Sequence, residues 1–133
     1  MSEHKVPANG AFCWNELATT DLESAQNFYK TLLGWEIKES NATGAGMVYN
    51  EIVVGGQHVG GVYKMGPEFG QAPSHWMAYV AVDDVDAKAR QVWELGGKVC
   101  VPPTDIPNVG RFCVVNDPTG ATIALITLTG SHS

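Results

Sequence analysis

The chain contains an internal repeat, and this repeat constrains the fold more than any single motif. The segment DVDAKARQVWELGG, residues 84–97, aligns with DLESAQNFYKTLLG, residues 21–34, at a constant offset of 63. Few residues are identical, but both copies place an acidic start, an apolar stripe and a glycine stop in the same order. One copy of such a repeat can be unable to bury its apolar face alone. The sequence therefore predicts one domain built from two similar modules.

The first copy predicts a strand followed by a helix. Polar and apolar residues alternate over 11–18, which places Trp14 and Glu16 on one face of a strand. Thr20 and Glu23 have the spacing of a capping box. Apolar residues then recur at helical spacing as far as Leu33, where the following glycine suits the left-handed residue that ends a helix. We expect the helix over 21–33.

The remaining pattern predicts three strands after each helix. In the first copy, the expected strands are 35–38, 47–54 and 57–64, with a polar loop over 39–46. In the second copy, we expect a strand over 75–82, a helix over 84–95, strands over 98–101, 110–115 and 121–128, and a proline-stiffened loop over 102–109. The predicted fold class is α+β, with two βαβββ modules over about 10–65 and 75–129. Together they form a single domain over 10–129 that follows a flexible tail over 1–9.

Composition excludes several partners. The 133 residues carry 44% hydrophobic and 17% charged residues, as in an ordinary globular chain. The formal net charge is -6, and no cluster of Lys and Arg could displace counterions from phosphates. We therefore predict no binding to nucleic acid. No apolar run reaches the length of a membrane span, and the N-terminus has no apolar signal core, so we expect a cytoplasmic protein that does not bind membranes.

Two sets of residues carry a family resemblance. The segment FCWNELATTDLESAQNFYKTLLGWE resembles the opening of a vicinal-oxygen-chelate module, the superfamily of glyoxalase I, extradiol dioxygenases, and bleomycin- and fosfomycin-resistance proteins. GAFCWNELATTD and VPPTDIPNVGRF resemble a bacterial glyoxalase-like subgroup that is sometimes labelled hydroxylase. The resemblance implies two modules related by pseudo-twofold symmetry that form a cupped mixed sheet. Its concave side would hold the active site.

The resemblance also implies a divalent metal held by four side chains, two from each module. On the family pattern these positions fall on Trp14, within Gly60-Gly61-Val62, on Met77 and on Ala124. None of these residues supplies the imidazole, thiolate or carboxylate donors that such metals require. The sequence therefore resembles a metal-free member of the superfamily. We predict no metal site and no cofactor.

One alternative keeps a metal at shifted positions. Glu16 lies two residues after Trp14, and His75 lies two residues before Met77, so each shares a strand face with a lost ligand position. The pseudo-twofold would place these two donors at different depths of the cup. This alternative would require a divalent metal bound at non-standard positions.

The expected ligand-binding residues follow from the same strand faces. They are Trp14, Glu16, Met77, Tyr79, Arg111, Phe112 and Ala124. Trp14 could instead belong to the core. Glu16 is the one candidate general base or partner for a ligand cation, but it could also be a structural carboxylate bonded to backbone or to Arg111. Arg111 and Phe112 alternate in direction, so one of the two at most faces a ligand.

Two functional classes remain open at this point. The first is a metal-independent protein that binds a small planar or aromatic ligand, as the resistance proteins of the family do. The second is an enzyme, such as a lyase, isomerase, dioxygenase or hydroxylase-like member, acting on a small oxygenated metabolite. The sequence does not decide whether the chain is an enzyme. The resemblance alone favours a homodimer.

Overall fold

A computed structural model describes residues 7–40, 49–107 and 109–129. This part of the chain contains two α-helices and eight strands. The helices are α1 Leu22–Leu33 and α2 Val85–Glu94. The strands are β1 Phe12–Thr19, β2 Glu36–Ser40, β3 Tyr49–Val54, β4 Gln57–Lys64, β5 His75–Ala81, β6 Lys98–Ile106, β7 Gly110–Asn116 and β8 Thr122–Leu128.

The chain forms two compact units. The first, which we call the N-terminal unit, is Trp14–Met77. The second, the C-terminal unit, combines the described residues of Met1–Cys13 with those of Ala78–Ser133. The division falls inside β1 and β5.

In the N-terminal unit, the strand order is β2-β3-β4-β1. Neighbouring strands β2, β3 and β4 are antiparallel, whereas β1 runs parallel to β4. The core lies on one face of this sheet, where Leu17, Ile52 and Val62 are buried and contact Ala25 and Tyr29 of α1, among others. Because strand side chains alternate, Trp14 and Glu16 lie on the opposite face, away from the helix.

In the C-terminal unit, the strand order is β5-β8-β7-β6. Here β5 is parallel to β8, and β8, β7 and β6 are antiparallel neighbours. The core again lies between sheet and helix, with Val85 and Ala89 of α2 buried against Cys113 and Val115 of β7. Read from its first strand outward, the N-terminal unit has the order β1-β4-β3-β2, which corresponds strand for strand to β5-β8-β7-β6. The predicted α+β class with two βαβββ modules is therefore confirmed.

Helix ends differ in detail from the sequence prediction. The residue that caps α1 is Asp21, whose carboxylate accepts from the backbone N–H of Ser24 at 3.0 Å, rather than Thr20 of the proposed capping box. Asp84 caps α2 in the same way, through the N–H of Ala87. Gly34 ends α1 with the expected left-handed conformation, at φ 72°. In the second copy the left-handed residue is Gly96, not the Gly97 that the repeat alignment paired with Gly34.

The predicted loop over 102–109 was wrong for most of its length. Strand β6 continues through both prolines to Ile106, and its pairing with β7 shifts register between Val99 and Val101 and again between Val101 and Thr104. Proline lacks the N–H that a regular ladder requires. Pro102 and Pro103 lie at the second of these irregularities, where a regular ladder is not required. The strand therefore extends past Val101, where the sequence pattern predicted its end.

Other predicted segments are only partly described. Residues 1–6 of the predicted tail and residues 41–48, which include most of the predicted loop, lie outside the described residues. Asn9, at the end of that tail, accepts a hydrogen bond from the backbone N–H of Asp83 at 2.9 Å. The segment 65–74, between the two predicted modules, contains a 3-10 turn, Pro67–Phe69. Among the described residues, neither helix is long and apolar enough to cross a membrane.

Candidate functional site

A chain of hydrogen bonds joins β1 to β3 on the face of the N-terminal unit opposite α1. The indole Nε1 of Trp14 donates to the hydroxyl of Tyr49 at 2.9 Å. That hydroxyl donates in turn to the Oε2 atom of Glu16 at 2.8 Å. All three side chains are half-buried, so they are neither fully in the core nor fully in solvent. The structure therefore brings two of the predicted ligand-binding residues together through a tyrosine.

Tyr49 reaches β1 because residue 61 has no side chain. Strand β4 lies between β3 and β1, and Gly61 pairs with Glu51 on one side and with Glu16 on the other. A Cβ atom at residue 61 would lie 1.8 Å from the Tyr49 hydroxyl oxygen. The ring thus crosses over the glycine, which is a common reason for glycine inside a strand.

The surroundings of Tyr49 keep its proton on the phenol. Burial, which disfavours the phenolate, raises the pKa of Tyr49 above its ordinary value, and the negative charge of Glu16 raises it further. Glu51 adds to this effect from β3, where its carboxylate pairs with the ring Nδ1 of His58. Tyr49 is therefore a neutral hydrogen-bonding group throughout the ordinary pH range.

An aromatic series continues from Tyr49 along the same unit. The rings of Tyr49 and Tyr63 are stacked, with centroids 6.2 Å apart and planes inclined by 26°. Tyr63 contacts Phe69 at 5.9 Å, and Phe69 contacts His75 at 6.5 Å. Offset or tilted ring pairs at these spacings are typical of favourable aromatic packing. The series offers apolar ring surface beside the polar Trp14–Tyr49–Glu16 chain.

Four of the predicted ligand-binding residues lie in the C-terminal unit, and three of them, Tyr79, Phe112 and Ala124, lie on the face of its sheet opposite α2 or within that sheet. The rings of Tyr79 and Phe112 contact each other, with centroids 6.4 Å apart. Tyr79 pairs in register with Ala124, which has no exposed surface. Ala124 can therefore support this ring pair from within the sheet but exposes no side-chain surface to a ligand. Met77, at the end of the N-terminal unit, is half-buried.

Arg111 is engaged on the helix side of the C-terminal unit. Its Nε and Nη2 atoms donate to the two carboxylate oxygens of Asp86 on α2, at 2.9 and 3.1 Å, and Nη1 donates to Asp105 at 3.0 Å. Its neighbour Phe112 points to the opposite face, toward Tyr79. The alternation expected from the sequence thus directs Phe112, and not Arg111, away from the helix. Arg111 is thus held by two carboxylates of its own unit.

The register of the sheet identifies the family metal position that the sequence left open. Glu16 pairs with Gly61 in the N-terminal unit, and Tyr79 pairs with Ala124 in the C-terminal unit. The offset of 63 that relates Glu16 to Tyr79 also relates Gly61 to Ala124. Gly61 is therefore the residue of Gly60-Gly61-Val62 that corresponds to the fourth position, Ala124.

These residues do not fit a metal ion. Trp14, Gly61, Met77 and Ala124 have no imidazole, thiolate or carboxylate, and the phenol of Tyr49 fills the space above Gly61. Within residues 7–40, 49–107 and 109–129, no group of three or more His, Cys, Asp and Glu side chains is arranged to hold a metal. In the shifted alternative, Glu16 accepts from Tyr49, and the Nδ1 atom of His75 is hydrogen-bonded to the carbonyl of Pro73 at 2.8 Å. The absence of a metal cofactor stays a prediction.

Sequence reasoning missed Tyr49, although it connects the two residues at the centre of the site. Tyr49 reaches Trp14 and Glu16 only because β4, with Gly61, lies between β3 and β1. The alternation of side chains along a strand does not predict the order of the strands in the sheet. The Gly60-Gly61 pair inside a predicted strand was the available signal, because glycine in a strand often marks a close approach by another group.

Comparison with known proteins agrees with this architecture. The family model of the Glyoxalase/Bleomycin resistance protein/Dioxygenase superfamily matches residues 12–125. The chain belongs to this superfamily.

Two curated relatives match most of this chain. The protein named "Putative glyoxylase CFP32" of Mycobacterium tuberculosis is 39% identical over 113 residues, which cover 84% of this chain and 43% of that protein. The "Anthracycline biosynthesis protein DnrV" of Streptomyces peucetius is 32% identical over 130 residues, covering 89% of this chain and 47% of that protein. The chain thus spans about half the length of the curated relatives it matches.

Solved structures share the fold at low sequence identity. The crystal structure of the hypothetical protein BH1468 from Bacillus halodurans matches 95% of this chain and 99% of that chain, with a TM-score of 0.67 and 10% identity. Methylmalonyl-CoA epimerase from Mycobacterium tuberculosis matches 96% of this chain and 95% of that chain, with a TM-score of 0.62 and 17% identity. At these identities, the likeness concerns the fold alone.

Proposed function

We propose that the chain is a metal-independent binding module for a small planar or aromatic ligand. The observation that carries this proposal is the position of Tyr49, which lies over Gly61 and is hydrogen-bonded to Trp14 and Glu16. A polar group with fixed geometry therefore stands where members of the superfamily that use a metal hold one of its ligands. Ligand sites typically combine apolar and aromatic walls with a few placed polar groups. The Tyr49, Tyr63 and Phe69 rings supply the walls.

The name of one relative is consistent with a planar ligand. This relative is named for anthracycline biosynthesis, and anthracyclines contain a planar fused-ring system. Stacking such a ring system on tyrosine and tryptophan requires no metal, because the interaction comes from apolar contact and ring electrostatics. Met77 is the further residue of the N-terminal unit that we assign to this site, and Tyr79 and Phe112 form a ring pair within the C-terminal unit. Arg111 is left out because Asp86 and Asp105 hold its guanidinium.

A thermal-shift experiment tests this proposal. The protein is dialysed against EDTA and mixed with doxorubicin, an anthracycline, and with 2-naphthol as a simple planar probe. Saturating ligand at about 100 times its Kd should add about 2.7 kcal/mol to the free energy of unfolding, and so raise the melting temperature. The Trp14→Ala variant should lose the shift. The matched control is Trp93→Ala, which removes an indole that is 59% exposed on α2.

The outcomes test two parts of the proposal, the role of Trp14 and the independence of binding from metal. A shift that survives in Trp14→Ala would remove Trp14 from the binding site. A shift that appears only after Zn(II), Mn(II), Ni(II) or Fe(II) is restored would contradict metal-independent binding.

A second candidate function is an enzyme that uses Glu16 and Tyr49 as a proton-transfer pair. The observation in its favour is the 2.8 Å hydrogen bond between the phenol and the carboxylate, a distance at which a proton can pass from one of the two groups to the other. This pair would serve an isomerase or lyase acting on a small oxygenated metabolite. Exchange of a substrate C–H proton with deuterated solvent, lost in Glu16→Gln, would favour this candidate over binding alone.

A homodimer and a cytoplasmic location remain predictions. An apolar strip on α1 supports the dimer, since Phe28, Leu32 and Leu33 are 58%, 62% and 52% exposed. Light scattering on the purified protein measures its mass directly. A Leu32→Glu variant that shifts a dimer to monomer would assign the interface to this helix, and a monomeric wild type would contradict the dimer.

A further inference from the structure

We propose that a groove between α2 and β6 is a second ligand site, which binds a planar aromatic carboxylate. The groove lies entirely within the C-terminal unit, whereas Trp14, Glu16 and Tyr49 belong to the N-terminal unit. The proposal therefore goes beyond the function proposed above and does not depend on it. The volume of the groove is about 500 Å³, within the range of roughly 300–1,000 Å³ that is usual for small-molecule sites.

The walls of the groove present flat apolar surfaces. Four residues of α2 line it at helical spacing, namely Asp86, Ala89, Arg90 and Trp93. Opposite them, Pro102 and Pro103 line the groove from β6, the last strand in the order of its sheet. Trp93 is 59% exposed, so much of its indole is open to a ligand. A planar ring can pack against this indole and the proline rings.

Arg90 supplies a positive charge to the groove. Its side chain is exposed and forms no hydrogen bond or ion pair with the described residues, including Glu94 one turn further along α2. Hydrogen bonds from Arg111 lower the pKa of Asp86, and the charge of Arg90 lowers it further, so Arg90 stands near Asp86 without contacting it. A guanidinium presents its N–H donors in a fork that matches the two oxygens of a carboxylate.

The acidic residue of the lining does not occupy Arg90. Arg111 holds both carboxylate oxygens of Asp86, at 2.9 and 3.1 Å, and so offsets much of its charge. Asp105, the second partner of Arg111, is not among the residues that line the groove. The indole N–H of Trp93 can only donate, and it has no hydrogen-bond partner in the described part of the chain. Arg90 and Trp93 thus both offer donors, which favour a carboxylate over an ammonium group.

The spacing of Arg90 and Trp93 fits an aromatic acid. The two residues are three positions apart on α2, so their side chains are neighbours on the helix surface. A naphthoate can therefore place its ring against Trp93 and its carboxylate against Arg90 at the same time. An uncharged ring would lose the contact with Arg90, and an aliphatic acid would lose the flat contact with Trp93.

Titration of nitrogen-15-labelled protein with 2-naphthoate tests the proposal. The indole N–H signal of Trp93 is assigned by its loss in Trp93→Leu. We expect this signal to shift in a saturable way, and the Kd that it gives should be the same in Trp14→Ala. Wild type should bind 2-naphthoate about fivefold more tightly than 2-naphthamide, which has the same ring without the charge, in keeping with an ion pair near the surface.

Two variants test whether Arg90 causes this preference. Arg90→Gln should reduce the preference for 2-naphthoate over 2-naphthamide below about twofold, because the charge that distinguishes the two ligands is gone. Lys88→Gln is the matched control, since it removes the same charge from the same helix at a residue that does not line the groove. The control should keep the fivefold preference.

A further variant tests the ring contact. Trp93→Leu keeps an apolar side chain but removes the aromatic plane, so calorimetry should show weaker binding of both 2-naphthoate and 2-naphthamide. The thermal-shift control Trp93→Ala stands, because doxorubicin and 2-naphthol carry no carboxylate to bind Arg90.

Several results would overturn the proposal. A Trp93 signal that does not respond to 2-naphthoate would remove the groove as its site, and binding that is lost in Trp14→Ala would assign this ligand to the N-terminal unit. Equal affinities for 2-naphthoate and 2-naphthamide would contradict the selection of an acid. Equal losses of preference in Arg90→Gln and Lys88→Gln would attribute the preference to net charge alone. None of these results would affect the metal-independent binding of 2-naphthol, which is tested separately.

Discussion

The phenol of Tyr49 occupies the space that a side chain at residue 61 would need. A Cβ atom on Gly61 would lie 1.8 Å from the Tyr49 oxygen and 2.2 Å from its Cζ atom. The Trp14–Tyr49–Glu16 chain consequently depends on a glycine in the middle of β4.

Gly61→Ala should displace Tyr49 and lower the free energy of unfolding by about 1–3 kcal/mol, the usual cost of overpacking. Tyr49→Ala should also destabilise, but the double variant should cost less than the sum, because removing the ring makes room for the methyl group. Urea unfolding of the four proteins measures the coupling. Additive losses would mean that the ring does not lie over residue 61.

Gly60→Ala is the control for this cycle. A Cβ atom at residue 60 would lie 2.4 Å from the backbone oxygen of Asn15 on β1. That clash is with backbone, so Tyr49→Ala should not relieve it. Tyr49→Ala should therefore reduce the stability loss caused by Gly61→Ala but not the loss caused by Gly60→Ala. This difference would show that the ring contact, and not a general intolerance of the strand to larger residues, causes the loss at residue 61.

The phenol of Tyr49 should make stability fall at alkaline pH. Its pKa is raised in the folded protein, mainly by burial and then by Glu16, whereas the unfolded chain ionises near 10.0. The stability that the neutral phenol contributes is complete below pH 10.0 and is lost as the pH rises toward the folded value, because the unfolded state then releases a proton that the folded state keeps.

Wild type and Tyr49→Phe should therefore differ in their alkaline unfolding. The stability difference between them should be constant below pH 10.0 and should shift in favour of the phenylalanine variant above it. The rise in tyrosinate absorbance on alkaline unfolding should be larger in wild type than in Tyr49→Phe, because the folded wild type keeps the proton of Tyr49. Parallel alkaline profiles would show that the Tyr49 hydroxyl is open to solvent.

The Asp86–Arg111 pair should support the C-terminal unit without serving ligand binding. The hydrogen bonds from Arg111 lower the pKa of Asp86 below 3.8. Its contribution to stability is present above that value and is lost as the pH falls through the lower, folded pKa. Asp86→Asn should thus reduce the melting temperature at neutral pH and converge with wild type in acid.

Asp105→Asn provides the comparison, since its carboxylate is 78% exposed and forms one hydrogen bond to Arg111 rather than two. Its effect should be smaller, in keeping with the small net stabilisation from exposed ion pairs. Neither variant should alter the affinity for 2-naphthol. A weaker affinity in Asp86→Asn would return Arg111 to the binding site.

The repeat made much of the fold predictable. Acidic caps, apolar stripes and glycines recur in both copies, and these local signals place both helices and most strands within a few residues. The prolines of β6 misled the prediction because a strand was assumed to require a regular ladder. Two shifts in register let Pro102 and Pro103 remain in the strand.

The site was predictable only in part. Strand alternation placed Trp14 and Glu16 on one face, and the structure joins them through Tyr49. No local pattern indicates that β4 separates β3 from β1. Tyr49, the third residue of this chain of hydrogen bonds, could therefore not be inferred from the sequence. The direction of Arg111 likewise depends on its partner Asp86 on α2, a contact between residues 25 positions apart in the sequence.

The most direct test of metal-independent recognition is the affinity for 2-naphthol, measured by calorimetry on one protein preparation before and after removal of metal ions with EDTA. We predict the same Kd in both states, with no change when Zn(II), Mn(II), Ni(II) or Fe(II) is added back. Binding that is lost with EDTA and restored by one equivalent of any of these ions would contradict the account.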